Sequence, residues 1–178
     1  MPLHKQGTTD VEVKESWRVS APPGSAILDA GLARIRHFQL FEFYRYWDRL
    51  RDGQAVPSRA ELDPLEFWTS LGYVSLFDVV DGRFRYRLGS GNLLEVLGEE
   101  MTGRYLDQMP SPSFRAILSD ALHTVVESCW PLVIEGEIVS AADRWHAEGL
   151  FVPLSTDRGR VDAVALCSYI EKARSERV

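Results

Sequence analysis

His123 is the histidine best placed to act as a ligand for a metal or a cofactor, because it lies inside a clear amphipathic segment. Apolar residues recur at helical spacing from Phe114 to Val126, which predicts a helix. At 100° per residue, His123 projects about 180° away from Phe114, on the side that carries Asp120 and Glu127. The spacing therefore predicts a solvated histidine rather than a ligand.

The two cysteines, Cys129 and Cys167, do not form a recognisable reactive or metal-binding motif. Two cysteines are too few for a disulfide framework, and no Cys-x-x-Cys spacing occurs. His146, His123 and the cysteines also lack the spacing of a metal site. Cys167 lies among small apolar residues of a predicted strand, where a buried and unreactive cysteine is the usual case.

Enzymatic motifs are absent from the sequence, which contains no GxSxG, P-loop, HExxH or GxGxxG. Asp78 and Asp81 are close in sequence, but Asp81 belongs to a predicted turn. His146 and Glu148 should face away from the core if Trp145, with which they alternate, faces into it. A small cone-shaped enzyme of the ketosteroid isomerase type remains the enzymatic alternative, and it needs an inward-facing carboxylate or histidine on its sheet.

The acidic composition limits the classes of partner. The chain has 178 residues and a formal net charge of −6, so it is long enough for one cored domain and its surface repels phosphate backbones. The N-terminal residues lack the apolar stretch of a signal peptide, and no segment approaches the roughly 18 apolar residues that span a bilayer. We expect a cytoplasmic protein that binds neither nucleic acid nor a membrane.

A β-hairpin is the strongest local signal in the sequence. The apolar runs 73–80 and 83–88 flank Asp81-Gly82, and a two-residue Asp-Gly link between strands favours a tight hairpin turn. The second run alternates apolar residues with Arg83, Arg85 and Arg87, so we interpret these arginines as the outer face of a strand.

The remaining elements predict an α+β domain. After the helix that contains Phe114, three apolar runs at 132–139, 144–154 and 161–170 are separated by turn residues. Strands joined by short turns are antiparallel. The order predicts a five-stranded antiparallel sheet with helices on one face.

An aromatic helix precedes this domain. The sequence predicts a flexible leader over 1–24, one amphipathic helix over 25–52, the main domain over 53–171 and a charged tail over 172–178. The helix has two apolar faces, which need two surfaces to bury them. One surface is its own domain. The other is either more of the same chain or a second copy, contacted through Phe38, Phe41, Tyr44 and Trp47.

Several short motifs in this order are similar to those of a known family. They are Tyr46-Trp47-x-x-Leu50-Arg51, Pro57-x-Arg59, Leu62-Asp63-Pro64, the segments 84–88 and 102–107, Pro131, and Pro153-Leu154. The set resembles a compact PAS domain family common in alphaproteobacteria, and the resemblance covers roughly residues 41–170. The sequence departs from the family at Phe67–Ser70 and at Gly89–Gly91.

The resemblance implies a bacterial sensory or signalling domain without catalytic activity, with a small ligand, a signalling protein or a second copy as its partner. Some PAS domains hold haem or flavin, but the positions of His123, Cys129 and Cys167 argue against both and leave the cofactor unknown. A pure interaction module with a filled core is the alternative. The candidates for the internal ligand pocket are Tyr86, Tyr105, Phe114, Leu118, Ile134, Trp145 and Cys167.

Overall fold

The computed structural model describes residues 11–157 and 159–174 and shows an α+β fold. Within these residues there are six strands and four α-helices. In chain order they are β1 (Glu12–Ser20), α1 (Ala26–Arg34), α2 (Phe38–Arg51), β2 (Val74–Val80), β3 (Arg83–Leu88), α3 (Gly91–Leu97), α4 (Pro112–Ser128), β4 (Leu132–Val139), β5 (Arg144–Leu154) and β6 (Ala163–Lys172).

All six strands form one antiparallel sheet in the order β1-β4-β5-β6-β2-β3. Asp81 and Gly82 have φ values of 50° and 75°, the positive values that a tight hairpin turn requires. The β2–β3 hairpin joins the β4–β5–β6 meander because β2 pairs with β6, with Val74 opposite Cys167. The predicted hairpin and meander are therefore confirmed as parts of one sheet.

The first strand corrects the prediction of a flexible leader over residues 1–24. β1 pairs with the outer edge of β4 and adds a sixth strand to the predicted five. A bulge between Glu15 and Trp17 interrupts its register. Val13 consequently packs on one face of the sheet and Trp17 on the other, which hides the two-residue period of a strand. Residues 1–10 lie outside the described residues.

Helices cover both faces of the sheet, and each face has its own apolar core. The first core lies beneath α3 and α4 and includes Phe77 and Phe151. The second lies beneath α1 and α2 and includes Trp47 and Leu150. The prediction of helices on one face therefore holds for α3 and α4, while the N-terminal helices α1 and α2 form a second layer on the other face. Because both faces are covered, the C-terminal half of β5 is continuously buried instead of alternating.

The aromatic helix expected over residues 25–52 is two helices. Ser25 caps α1, since its Oγ accepts the N–H of Leu28 at 3.2 Å. The backbone is extended at Ile35, with ψ of 126°, and at His37, with ψ of 115°. Glu148 of β5 accepts hydrogen bonds from the backbone between the two helices and stabilises this break. The helical periodicity on either side does not predict it, because the stabilising residue is far away in the sequence.

The long helix after the hairpin agrees with the sequence. Ser111 caps α4 by accepting the N–H of Phe114, and a proline occupies the first turn. The last strand ends at Lys172, the first residue of the predicted tail. Residues 175–178 of that tail lie outside the described residues.

Candidate functional site

A cavity of about 60 Å³ lies between α4 and the sheet. Its wall exposes almost only apolar atoms and includes Phe114, Leu118 and Ile134, which the sequence had selected as pocket residues. Pockets for small molecules usually enclose roughly 300–1,000 Å³. This cavity therefore has room for only a few water molecules.

The other four predicted pocket residues lie elsewhere. Tyr86 is buried against Phe77, with ring centres 4.4 Å apart, and burial raises the pKa of its hydroxyl. Tyr105 lies near the surface, with the guanidinium of Arg83 3.9 Å from its ring centre. Trp145 is partly buried at the start of β5, against the first core.

Cys167 is on the opposite face of the sheet from the cavity. It belongs to the second core, beneath α1 and α2, because its position in β6 alternates with Leu166, which lines the cavity. Its assignment to the pocket is therefore wrong. Burial raises the pKa of its thiol, so it is a protonated core side chain at neutral pH.

The residues considered as cofactor ligands are dispersed. His123 is on the exposed side of α4, where Nδ1 lies 2.7 Å from the carbonyl oxygen of Ser119. Its ring meets Phe84 edge to face, with centres 4.8 Å apart. Cys129 ends α4 in a left-handed conformation. Among residues 11–157 and 159–174, no three His, Cys, Asp or Glu side chains are grouped as a metal site would require.

A buried carboxylate lies on the second face, where α1 meets α2. The side chain of Glu148 is 1% exposed. Its Oε2 accepts the backbone N–H of Arg36 at 3.1 Å and that of His37 at 3.2 Å. These groups precede and begin α2, so the carboxylate caps that helix from the sheet. The guanidinium of Arg36 adds an ion pair at 3.3 Å.

Further titratable groups surround this cap. His146 Nε2 lies 3.4 Å from Glu148 and 3.7 Å from Glu135. The ring of His37 stacks on Tyr169 at 3.2 Å between centres. His146 and Glu148 face away from the first core, as the alternation predicted, but the segment between α1 and α2 covers Glu148. Because backbone groups occupy the Glu148 carboxylate, it is unsuited to the general-base role of an isomerase-like site.

Of the four residues predicted as dimer contacts, two are buried and two are exposed. Trp47 is buried, and its indole Nε1–H donates to the carbonyl of Pro153 at 2.9 Å. Tyr44 is also buried, and its hydroxyl accepts the N–H of Gly24 at 3.3 Å. Both are unavailable at the surface because the second core uses them, which corrects the prediction. Phe38 and Phe41 are 62% and 45% exposed.

Sequence reasoning did not find the cap at Glu148. The available signal was a glutamate inside an apolar strand, because a buried carboxylate needs hydrogen-bonding partners. The sequence did not show that those partners are the backbone groups of Arg36 and His37, which are more than a hundred residues away.

A single antiparallel sheet joins a hairpin to a three-strand meander, with short helices and a long helix between them, in a small α+β domain. A family model described as PAS domain matches residues 35–167. The chain belongs to the PAS domain family. PAS domains are typically non-catalytic sensory and signalling modules that commonly mediate contacts with partners.

One solved structure, of an RNA-binding light-oxygen-voltage receptor, matches with a TM-score of 0.39 and 12% sequence identity. The match covers 91% of this chain and 38% of that chain. No curated protein matches the sequence. In the part of the chain that the structure describes, no helix is both long enough and apolar enough to cross a bilayer.

Proposed function

We propose that this PAS domain is a non-catalytic signalling module of the bacterial cytoplasm that acts through protein contacts, first of all with a second copy of itself. The observation that carries the proposal is the contrast between the two apolar surfaces. The cavity between α4 and the sheet has a volume of only about 60 Å³, whereas α2 presents Phe38 and Phe41 to solvent. An unidentified signalling protein is the expected downstream partner, and neither nucleic acid nor a membrane is expected.

The exposed stripe of α2 suits pairing with itself. Phe38, Phe41, Glu42, Arg45 and Arg49 follow helical spacing along the side turned away from the sheet. The stripe carries both signs of charge, and Glu42 already pairs with Arg45 at 3.2 Å within one helix. In a two-fold dimer the same patch meets itself, so an antiparallel pair of α2 helices can set acidic against basic side chains around the phenylalanines.

The buried side of α2 connects this surface to the sheet. Trp47 bonds to β5, and the Glu148 cap holds the start of the helix. Displacement of α2 by a partner would therefore strain or break the hydrogen bonds that join α2 to β5. This coupling would carry the effect of a partner at α2 into the sheet.

A small apolar ligand is the second candidate partner, because the cavity wall is apolar. Such a ligand requires the cavity to enlarge, since small-molecule pockets are usually several times larger than about 60 Å³.

Sedimentation velocity of the full chain tests the proposal. We expect the native chain to sediment as a dimer and the F38A/F41A variant as a folded monomer. A control variant, I27A/L94A, removes two other exposed apolar side chains, from α1 and α3, and should remain dimeric. A native chain that stays monomeric at all concentrations, or an F38A/F41A variant that still dimerises, contradicts the proposal.

A further inference from the structure

Asp78 is a buried carboxylate shared by three arginines. Its side chain is 8% exposed and lies on β2, next to the edge strand β3. Arg59 Nη2 lies 3.0 Å from Oδ1, and Arg85 Nη2 lies 3.0 Å from Oδ2. Arg87 Nη1 lies 3.6 Å from the same Oδ2. We call Arg59, Arg85 and Arg87 the arginine cluster.

The fold builds this cluster from two separate segments. Asp78 and Arg85 are direct partners across the β2–β3 hairpin, and Arg87 follows on the same face of β3. Arg59 comes from the 3-10 helix Arg59–Glu61, where its backbone N–H donates to the carbonyl of Ser155 at 2.8 Å. The cluster is therefore anchored to the sheet at both of its sources.

The three positive charges of the cluster exceed the single negative charge of the Asp78 carboxylate. Three guanidinium groups carry three positive charges and five N–H donors each, whereas one carboxylate accepts about four hydrogen bonds. The side chains of Arg85 and Arg87 are 42% and 57% exposed, so their remaining donors face solvent. Asp78 reduces the repulsion between the arginines and holds them together. What remains is a compact basic surface on a chain of net charge −6.

We infer that the arginine cluster binds carboxylate or phosphoryl groups on an acidic segment of a partner protein. Guanidinium groups recognise such oxyanions through paired N–H donors. A protein segment suits the cluster better than nucleic acid, because a polyanion needs an extended basic surface and the rest of this chain is acidic. The inference deepens the proposed function by giving the chemistry of a partner, on a surface distinct from the phenylalanines of α2.

Fluorescence anisotropy with the full chain and a fluorescein-labelled peptide of ten glutamates tests the inference. We expect saturable binding that weakens with added salt. The R85Q/R87Q variant should bind about tenfold more weakly, because it removes the two exposed guanidinium groups. The control R144Q/K172Q changes the net charge equally at two other exposed ion pairs and should stay within about twofold of the native chain.

Two further measurements keep the inference falsifiable. R87Q alone retains both contacts of 3.0 Å to Asp78, so it remains informative if R85Q/R87Q does not fold. It should weaken binding by about threefold. A labelled ten-residue oligothymidine should bind more weakly than the peptide.

The inference is overturned by no binding of the peptide, by equal losses in R144Q/K172Q and R85Q/R87Q, or by oligothymidine that binds more tightly through the same arginines. None of these outcomes bears on the proposed dimer, which uses a different surface. Sedimentation of R85Q/R87Q as a dimer then separates a failure of this inference from a failure of the proposed function.

Discussion

Glu148 in β5 and His37 at the start of α2 are joined by a hydrogen bond of 3.2 Å, from the backbone N–H of His37 to Oε2. The bond connects the centre of the sheet to the helix that carries the exposed phenylalanines. The carboxylate also accepts the N–H of Arg36, so one buried side chain holds both backbone groups that precede the first turn of α2.

Loss of this cap should destabilise the protein. E148A leaves two backbone N–H groups without their acceptor, and we expect the free energy of unfolding to fall by about 2–4 kcal/mol. E148Q keeps an acceptor oxygen and should lose less. Urea unfolding followed by circular dichroism measures both, with E137Q as a surface control. If the free energy of unfolding of E148A is within about 0.5 kcal/mol of the native value, the cap does not contribute to stability.

Removal of the Tyr86 hydroxyl should have the opposite effect. Within the described residues, this buried hydroxyl has no hydrogen-bonding partner. Y86F should therefore leave stability unchanged or raise it by up to about 1 kcal/mol. Tyr46 is the matched control, since its hydroxyl accepts the N–H of Asp63 at 2.7 Å, and Y46F should be destabilising. Equal losses in both variants would mean that a group or a water satisfies Tyr86.

A methyl group at Gly136 should disturb the β1–β4 pairing. A Cβ at this position would lie 2.5 Å from the carbonyl oxygen of Lys14, next to the bulge. We expect G136A to lose about 2–4 kcal/mol of stability. In G136A the backbone amides of β1 should also exchange with solvent faster than they do in the native protein. G91A is the control, because its added Cβ meets nothing within 4 Å. A G136A protein with native exchange in β1 would refute the pairing as described.

The buried thiol of Cys167 should make stability depend on pH. Burial raises its pKa in the folded protein, so the folded state keeps this proton at pH values where the unfolded chain loses it. Its contribution is fully present below the unfolded pKa of about 8.5, and the free energy of unfolding should decline as pH rises above that value.

Unfolding of the native chain and of C167A between pH 7 and 9.5 measures this dependence, and C129S serves as the control. The decline should be smaller in C167A and unchanged in C129S. A thiol reagent should modify Cys167 only after unfolding. Rapid labelling of Cys167 in the folded C129S protein would contradict its place in the second core.

Local signals in the sequence predicted the hairpin and α4 well. The turn at Asp81-Gly82 and the apolar spacing from Phe114 are properties of adjacent residues, and the structure retains both. β1 escaped prediction because its bulge moves Trp17 to the other face from Val13. The break between α1 and α2 was not predicted because Glu148, which stabilises it, is far away in the sequence.

The pocket and dimer residues were harder to predict because they depend on which face of an element is covered. Phe114, Leu118 and Ile134 line the cavity, whereas Cys167 packs on the opposite face. Trp47 belongs to the second core, although its residue type suits an interface equally well. Both outcomes follow from a second helical layer, which local periodicity does not reveal.

Native mass spectrometry of the purified full chain tests the central claim most directly, because it counts chains and bound molecules together. A signalling domain with a filled interior and a self-pairing α2 should give the mass of two chains with no small molecule attached. A single chain that retains a stoichiometric small molecule would contradict the claim and would assign the sensory role to the interior cavity.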